Sequence, residues 1–206
     1  MWDGSKKDVP LETRLNSLSD AELAALSQQG DIEAFDRLAH RLGDALFRFV
    51  RRTLGNDEDA RDTCQDALLK AYQNIGRLRD PARFKPWLHH IALNLCRDRY
   101  RAAKVRKAES YEEGQPNEVR ILEAAPSRPA PDRWAEQASL AEALRGMLER
   151  LSLEQRTAIL LREYQGFSTE EIAHITGVPA ATVRTRIFYG LKSLRRMLRA
   201  QGGQWS

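Results

Sequence analysis

The stretch Phe167 to Arg199, FSTEEIAHITGVPAATVRTRIFYGLKSLRRMLR, restricts the fold of this chain more than any other. It reads as two helices joined by a tight turn. Ser168 caps the first helix, and Glu171, three residues on, is its reciprocal partner. Gly177 supplies the turn, and Pro179 suits the opening of the next helix. Ala173, Gly177 and Val183 have helix-turn-helix spacing. The alanine lets the helices approach, the glycine takes a backbone most residues resist, and the valine fills the angle between them. The second helix carries six basic residues and no acidic one. A helix of this kind fits a DNA major groove and reaches base edges.

Val183, Ile187, Leu191 and Leu194 recur at helical spacing and are expected to face a core, met by Ile172, Ile175 and Val178. Thr182, Arg184, Thr185, Phe188, Tyr189 and Lys192 are left outward. Arg184 and Arg186 suit base edges or phosphates, while Lys192, Arg195, Arg196 and Arg199 lie further along and suit the DNA backbone. The plain alternative is a solvated basic helix. Gly190 lies inside the helix, where glycine costs about 1 kcal/mol relative to alanine; a close contact with another helix would account for it.

The remaining 173 or so residues extend a helical pattern with almost no strand signal, which predicts an all-α protein. Residues 1–18 read as a loose leader. Ser19 with Glu22 forms another capping box, opening a short helix that ends at Gly30. Asp31 caps a long helix from Ile32 to Leu54, with Phe35, Leu38, Leu42, Leu46, Phe47 and Val50 apolar, and Gly55-Asn56 ends it. A third helix is predicted from Asp57 to Ile75, and a fourth from Arg83 or Phe84 to Lys107. Residues 108–132 are acidic early and proline-rich late, a composition that buries too little apolar area to offset ordering, and read as a flexible linker. Beyond it come helices over 133–150 and 153–164, the latter capped by Ser152, and then the helix-turn-helix. The architecture expected is two small helical domains, 19–107 and 133–200, joined by that linker.

The balance of 33 Lys and Arg against 29 Asp and Glu gives a net charge of only +4, so distribution matters more than the total. The cysteines, Cys64 and Cys96, have no CxxC partner, which argues against a disulfide framework or zinc knuckle and suits a reducing cytoplasm. No apolar run approaches the roughly 20 residues of a membrane span, and the polar N-terminus has no secretory segment. His40, His89, His90 and His174 sit in no recognisable catalytic setting. No phosphate-binding glycine loop, catalytic dyad or metal set is visible, so no enzyme, cofactor or metal is expected. His89 and His90 with Cys96 do not place three ligands on one helical face.

The fourth helix mixes Phe84, Trp87 and Tyr100 with Arg83, Lys85, Arg97, Arg99, Arg101, Lys104, Arg106 and Lys107. Cations along phosphates and rings against bases are what gripping single-stranded DNA needs. Trp87, Ile91 and Leu95 also have core spacing. On the third helix Asp57, Glu58 and Asp59 suit the positive helix end. Asp62, Gln65 and Asp66 sit deeper on one face, while Leu68, Leu69 and Tyr72 serve either core or rim.

Three passages, in order around a variable linker, resemble bacterial sigma factors of the small extracytoplasmic-function group: DEDARDTCQDALLKAY (57–72), FKPWLHHIALNLCRDRYR (84–101) and 151–196. The resemblance covers about residues 20–107 and 133–199. It implies a promoter-specificity subunit with core RNA polymerase and promoter DNA as partners. It makes Asp62, Gln65, Asp66 and Leu69 polymerase contacts, and Phe84, Trp87, His90, Asn94, Arg97 and Arg101 readers of the minus-ten element. Asn94 matches a position lining the pocket for an extruded base, where an amide offers both a donor and an acceptor. Thr182, Arg184, Thr185, Arg186, Phe188, Tyr189, Lys192 and Arg196 become readers of the minus-thirty-five element. Tyr189 stands where the family often has arginine, and His89 and His90 where an aromatic or arginine is frequent. An anti-sigma partner is implied by the resemblance alone. Glu109, Glu112, Glu113 and Glu118 either mimic nucleic acid in the polymerase channel or keep the linker soluble. The competing reading is a stand-alone helix-turn-helix regulator with an N-terminal sensing or dimerisation domain, which would need paired half-sites.

Overall fold

The structure is a computed structural model that describes residues 15–112 and 132–200, with side-chain surroundings for 15–106 and 141–200. Two helical units pack together. The first comprises α1 (Asp20–Gln28), α2 (Ile32–Leu54), α3 (Asp57–Asn74) and α4 (Phe84–Glu112), with 3-10 turns at Ile75–Arg77 and Pro81–Arg83. The second comprises α5 (Asp132–Glu149), α6 (Leu153–Ile159), α7 (Thr169–Thr176) and α8 (Ala180–Ala200). A π-helical turn, Leu160–Tyr164, continues α6. There is no strand among the described residues.

The caps fix where each helix begins. Ser19 Oγ accepts from the Glu22 amide while the Ser19 amide donates to Glu22 Oε2 at 2.8 Å. Asp31 accepts from Ala34, and Asn56 from Asp59. Each such cap is worth about 1 kcal/mol to its helix. α2 then buries Phe35, Leu38, Leu42, Leu46, Phe49 and Val50 along one stripe. Against it α3 turns Ala60, Thr63, Cys64, Ala67 and Ala71 inward, mostly small side chains that allow close approach. α4 completes the layer with Phe84, Leu88, Ala92, Leu93 and Cys96.

Several details differ from the sequence pattern. Residues 15–17 are helical, Leu15 is buried, and Arg41 donates to the carbonyls of Asn16 and Leu18. The folded unit therefore starts before Ser19; residues 1–14 of the expected leader lie outside the described residues. α4 runs to Glu112, because Ala108 to Glu112 contains no breaker and continues a growing helix at little cost. The rest of the expected linker, 113–131, lies outside the described residues, as do the side chains of Glu109 and Glu112. The α4 stripe facing the core is Phe84–Leu88–Ala92–Cys96, one position beyond the Trp87–Ile91–Leu95 set, which is only partly buried.

Burial pushes the Cys64 and Cys96 thiols up to about 12. Both stay protonated and act as small apolar groups.

Candidate nucleic-acid interface

The helix-turn-helix forms as its residues dictate. The Ser168 amide donates to Glu171 Oε2 at 2.8 Å, and the Glu171 amide donates to Ser168 Oγ at 3.2 Å. Gly177 takes φ +72°, in the left-handed region, and its amide closes α7 on the Ala173 carbonyl at 2.9 Å. Val183 is fully buried in the angle. Within α8 a Cβ at Gly190 would stand 2.6 Å from Ile159 Cδ1, so its hydrogen is what lets α8 lie against α6.

That packing turns one face of α8 to solvent. Arg184, Thr185, Phe188, Tyr189, Lys192, Arg195, Arg196 and Arg199 are exposed, and Thr182 and Arg186 are half-buried. Phe188 is 62% exposed and meets Tyr189 edge-on at 5.3 Å. Thr185 donates its hydroxyl to the Ala181 carbonyl at 3.0 Å. Two aromatic rings on a basic helix with no buried role suit apolar and stacking contacts to bases.

The α4 face is built differently. Asp80 caps the 3-10 turn through the Ala82 amide, and Pro81 opens it. Phe84, expected at the DNA face, is 1% exposed; it stands edge-on to Phe35 at 6.2 Å and tilts against Trp87 at 5.9 Å. It is a core residue that props Trp87, not a ring available to a base. Beyond it a concavity of about 350 Å³ opens between α3 and α4, lined by Lys70, Asn74, Arg77, Trp87, His90, Ile91, Asn94, Leu95 and Asp98. It joins an indole and two aliphatic chains to amides, cations and one carboxylate, a chemistry suited to an unstacked base. Trp87, His90 and Asn94 were singled out in the sequence. Lys70, Asn74, Arg77 and Asp98 were not; Lys70 and Asn74 come from α3, Arg77 from the 3-10 turn that follows it, and Asp98 from one turn beyond Asn94 on α4.

Asn94 is exposed and sits in a chain of hydrogen bonds. His90 Nδ1 stands 2.8 Å from the Ile175 carbonyl. A carbonyl only accepts, so Nδ1 carries the proton and Nε2 accepts from Asn94 Nδ2 at 3.0 Å. Arg97 Nη1 then donates to Asn94 Oδ1 at 3.3 Å, and Arg97 Nη2 donates to the Thr176 carbonyl at 2.9 Å. Burial, then the nearby Arg186, holds the Arg97 guanidinium below its ordinary value, with Glu154 opposing. Arg101 is exposed and pairs loosely with Asp98.

His89, one residue before His90 and about 100° around the helix from it, turns into the core. It is fully buried between Phe49 and Phe167, with Nδ1 at 2.9 Å from the Lys85 carbonyl and Nε2 at 3.3 Å from Gln165 Oε1. Burial pulls its pKa down to about 4, so the ring is neutral at pH 7. No cluster of three His, Cys, Asp or Glu able to hold a metal occurs among the described residues.

On α3, Asp62, Gln65, Asp66 and Leu69 are all exposed and lie one above another at helical spacing; Leu69 is 53% exposed. Tyr72 is partly exposed but stands edge-on to Phe35 at 5.1 Å. Arg99 of α4, read in the sequence as a phosphate-gripping cation, turns instead to this acidic row. It meets Asp59 at 2.9 Å, Asp66 at 3.5 Å and Asp62 at 3.9 Å. Such exposed pairs add little stability. They do orient the carboxylates along one ridge.

Comparisons with known proteins bear on both faces. The family model for Sigma-70 region 2 matches residues 38–106, and that for Sigma-70, region 4, matches 141–194. The chain is 37% identical over 180 residues to the ECF RNA polymerase sigma factor SigM of Mycobacterium tuberculosis, covering 87% of this chain and 85% of that one. It is 30% identical over 176 residues to the ECF RNA polymerase sigma factor SigW of Bacillus subtilis, covering 84% and 92%. Among solved structures it resembles CnrH, determined in complex with the cytosolic domain of CnrY, with a TM-score of 0.65 and 28% identity over 88% of this chain and 97% of that one. The sigma factor RpoE of Bartonella quintana, solved with the anti-sigma factor NepR, shares the fold at a TM-score of 0.65 and 24% identity, over 82% and 98%.

Proposed function

The chain belongs to the extracytoplasmic-function group of the sigma-70 family, and from that membership we propose how its two faces divide the work of a promoter-specificity subunit. It binds core RNA polymerase and directs initiation at a particular promoter class. The α8 face reads the minus-thirty-five duplex: Arg184 and Arg186 reach base edges, Phe188 and Tyr189 give apolar contact, and Lys192 and Arg196 neutralise phosphates. The α4 face reads the minus-ten element after strand separation. Trp87, His90 and Asn94 line the pocket for one extruded base, and Arg97 and Arg101 hold the strand.

The observation that carries this reading is the pairing of a polar, aromatic-floored pocket on one helical unit with an exposed basic recognition helix on the other. Each module alone has a small interface. Tethered and held by polymerase, the second contact becomes intramolecular. Strand opening is driven by binding in this account, and nucleotide addition belongs to the polymerase. The acidic row Asp62, Gln65, Asp66 with Leu69 is the polymerase-docking ridge, accepting bonds from basic residues of the partner. An anti-sigma partner that covers these surfaces belongs to the same reading. So does a cytoplasmic location, where the polymerase works; among the described residues no helix is long and apolar enough to cross a membrane. A stand-alone regulator would leave the α3 ridge and the α4 pocket without a task.

Run-off transcription with purified core polymerase on fragmented genomic DNA tests the function and returns the promoter motif. Recurrent start sites sharing two elements support it; tight sequence-specific duplex binding with no polymerase association overturns it. The ridge has its own test. Asp66→Arg is expected to weaken binding to core polymerase at least tenfold, through lost and reversed charge, with an unchanged thermal melt. Unchanged affinity would remove Asp66 from the docking surface.

A further inference from the structure

We propose that the recognition helix reads thymine methyl groups: the outward line Ala181–Thr185–Phe188 of α8 fits successive A·T pairs of the minus-thirty-five element through their 5-methyl carbons. This inference rests on the assignment of α8 to that duplex and deepens it by naming the bases and the atoms read.

Ala181, Thr185, Phe188 and Lys192 follow one another at intervals of four, three and four residues, so they share one line along the helix. All four are exposed. The buried residues of α8, Val183, Gly190 and Leu194, lie about 180° around the helix from that line. The packing that fixes α8 to its neighbours therefore also fixes which side chains project furthest from them.

The first three residues of this line are poor in hydrogen-bonding capacity. Ala181 and Phe188 have no polar side-chain atom, and Thr185 spends its hydroxyl hydrogen on the Ala181 carbonyl. Phe188 leaves 62% of its surface open, and Tyr189 braces its ring edge-on from one side at 5.3 Å. Alanine, threonine and phenylalanine are the side chains that make apolar contact with the thymine methyl, the base-edge group of the major groove that neither donates nor accepts. A C·G pair brings an amine there instead. Ala181 and Phe188 cannot pair that amine, so its desolvation goes uncompensated.

The length of the line fits as well. From Ala181 to Phe188 the helix rises about 10 Å. Successive bases of a strand stand about 3.4 Å apart. With α8 lying along the groove, the three side chains therefore span about three base steps. Cations frame the apolar line without entering it. Arg184 is exposed on one flank, and Lys192 continues the line beyond Phe188. Arg184 supplies hydrogen bonding at the edge of the read segment, and Lys192 meets phosphate where the helix leaves the groove.

The test uses holoenzyme and the promoter recovered by run-off transcription. Each thymidine of the minus-thirty-five element, on either strand, is replaced in turn by dU, which removes the methyl and keeps the base pair. At successive positions affinity is expected to fall about fourfold each, the worth of one buried methyl group. Changing one of those T·A pairs to C·G should cost more, and 5-methyl-dC in place of dC should recover part of the loss. Phe188→Ala, at an exposed position, is expected to abolish the dU penalty at one position or more, with an unchanged thermal melt and unchanged binding of the minus-ten strand. Phe188→Leu keeps an apolar side chain and should retain the penalty. An element without successive A·T pairs, thymines whose methyls can all be removed without loss, or penalties that persist in full in Phe188→Ala would each overturn the methyl reading. A scrambled minus-thirty-five element separates the two ideas. If scrambling weakens binding while dU is silent, the methyl reading fails and the assignment of α8 to that element stands. If scrambling is silent too, the assignment falls and this inference with it.

Discussion

The two faces proposed to meet DNA are composed of the same materials and stand in opposite states. On α8 the arginines and aromatic rings project into solvent because Val183, Gly190 and Leu194 hold the other side of the helix against its neighbours. On α4 the amide, imidazole and guanidinium of Asn94, His90 and Arg97 are already bonded, partly to each other and partly to α7. A basic, aromatic helix is thus a statement of capacity. Whether the capacity is available depends on what the other unit presents to it, and that is decided by contacts spanning 79 and 85 residues.

The largest expected effect breaks the α8 side of this contrast. Gly190→Leu drives a side chain into Ile159 and Gln155 and should destabilise the second unit by about 3 kcal/mol, the cost of overpacking a close helix contact. Thermal melting should show it, and minus-thirty-five protection should vanish from holoenzyme footprints. A melt and footprint like wild type would mean that α8 does not rest on α6.

Acid should erase the contrast from the α4 side. His89 titrates at about 4 in the folded protein, against the ordinary 6.5, because burial disfavours its charged form. Between those values the unfolded protein binds the proton and the folded form does not. Stability is therefore full above about pH 6.5 and is lost as pH falls toward 4, by up to about 3 kcal/mol. Urea melts at pH 7.5, 6 and 5 should show a falling midpoint, and His89→Gln should flatten that dependence. A wild-type midpoint insensitive to pH over this range would place His89 in water.

Much of the frame could be read from residue order, for reasons these elements make plain. Ser19 with Glu22, Ser168 with Glu171, and the Ala173–Gly177–Val183 spacing are local signals, so the caps and the helix-turn-helix were legible. Gly190 was legible as an anomaly, and its cause is the Ile159 side chain 31 positions away. Phe84 misled, because an aromatic beside cations looks the same whether it faces DNA or Phe35. His89 and His90 are adjacent and about 100° apart around the helix, so composition alone did not reveal which one enters the core. Arg99 looked like one more phosphate ligand until the fold brought Asp59, Asp62 and Asp66 beneath it. Gln165 and Arg156 gave no local sign of their roles, since their partners, Ala45 and Thr53, lie 120 and 103 residues away.

Two smaller effects sharpen the division of labour within α8. Arg184→Ala should lower affinity for the minus-thirty-five duplex about tenfold and relax preference at one or two base pairs, while leaving minus-ten preference intact. Competition between promoter variants bound by holoenzyme measures it; a loss equal at every sequence would make Arg184 a phosphate ligand. Arg196→Ala should weaken all promoters alike and reduce the salt slope by about one unit. An unchanged slope would show that Arg196 touches no phosphate.

The most direct measurement takes the promoter recovered by run-off transcription and divides it into a minus-thirty-five duplex and a minus-ten non-template strand. Each probe is titrated with the free chain and with holoenzyme at one salt concentration. The free chain is expected to bind the duplex weakly but specifically and to leave the strand unbound, whereas holoenzyme is expected to bind both. A free chain that grips the strand as tightly as holoenzyme does, or a holoenzyme indifferent to the strand, would contradict it.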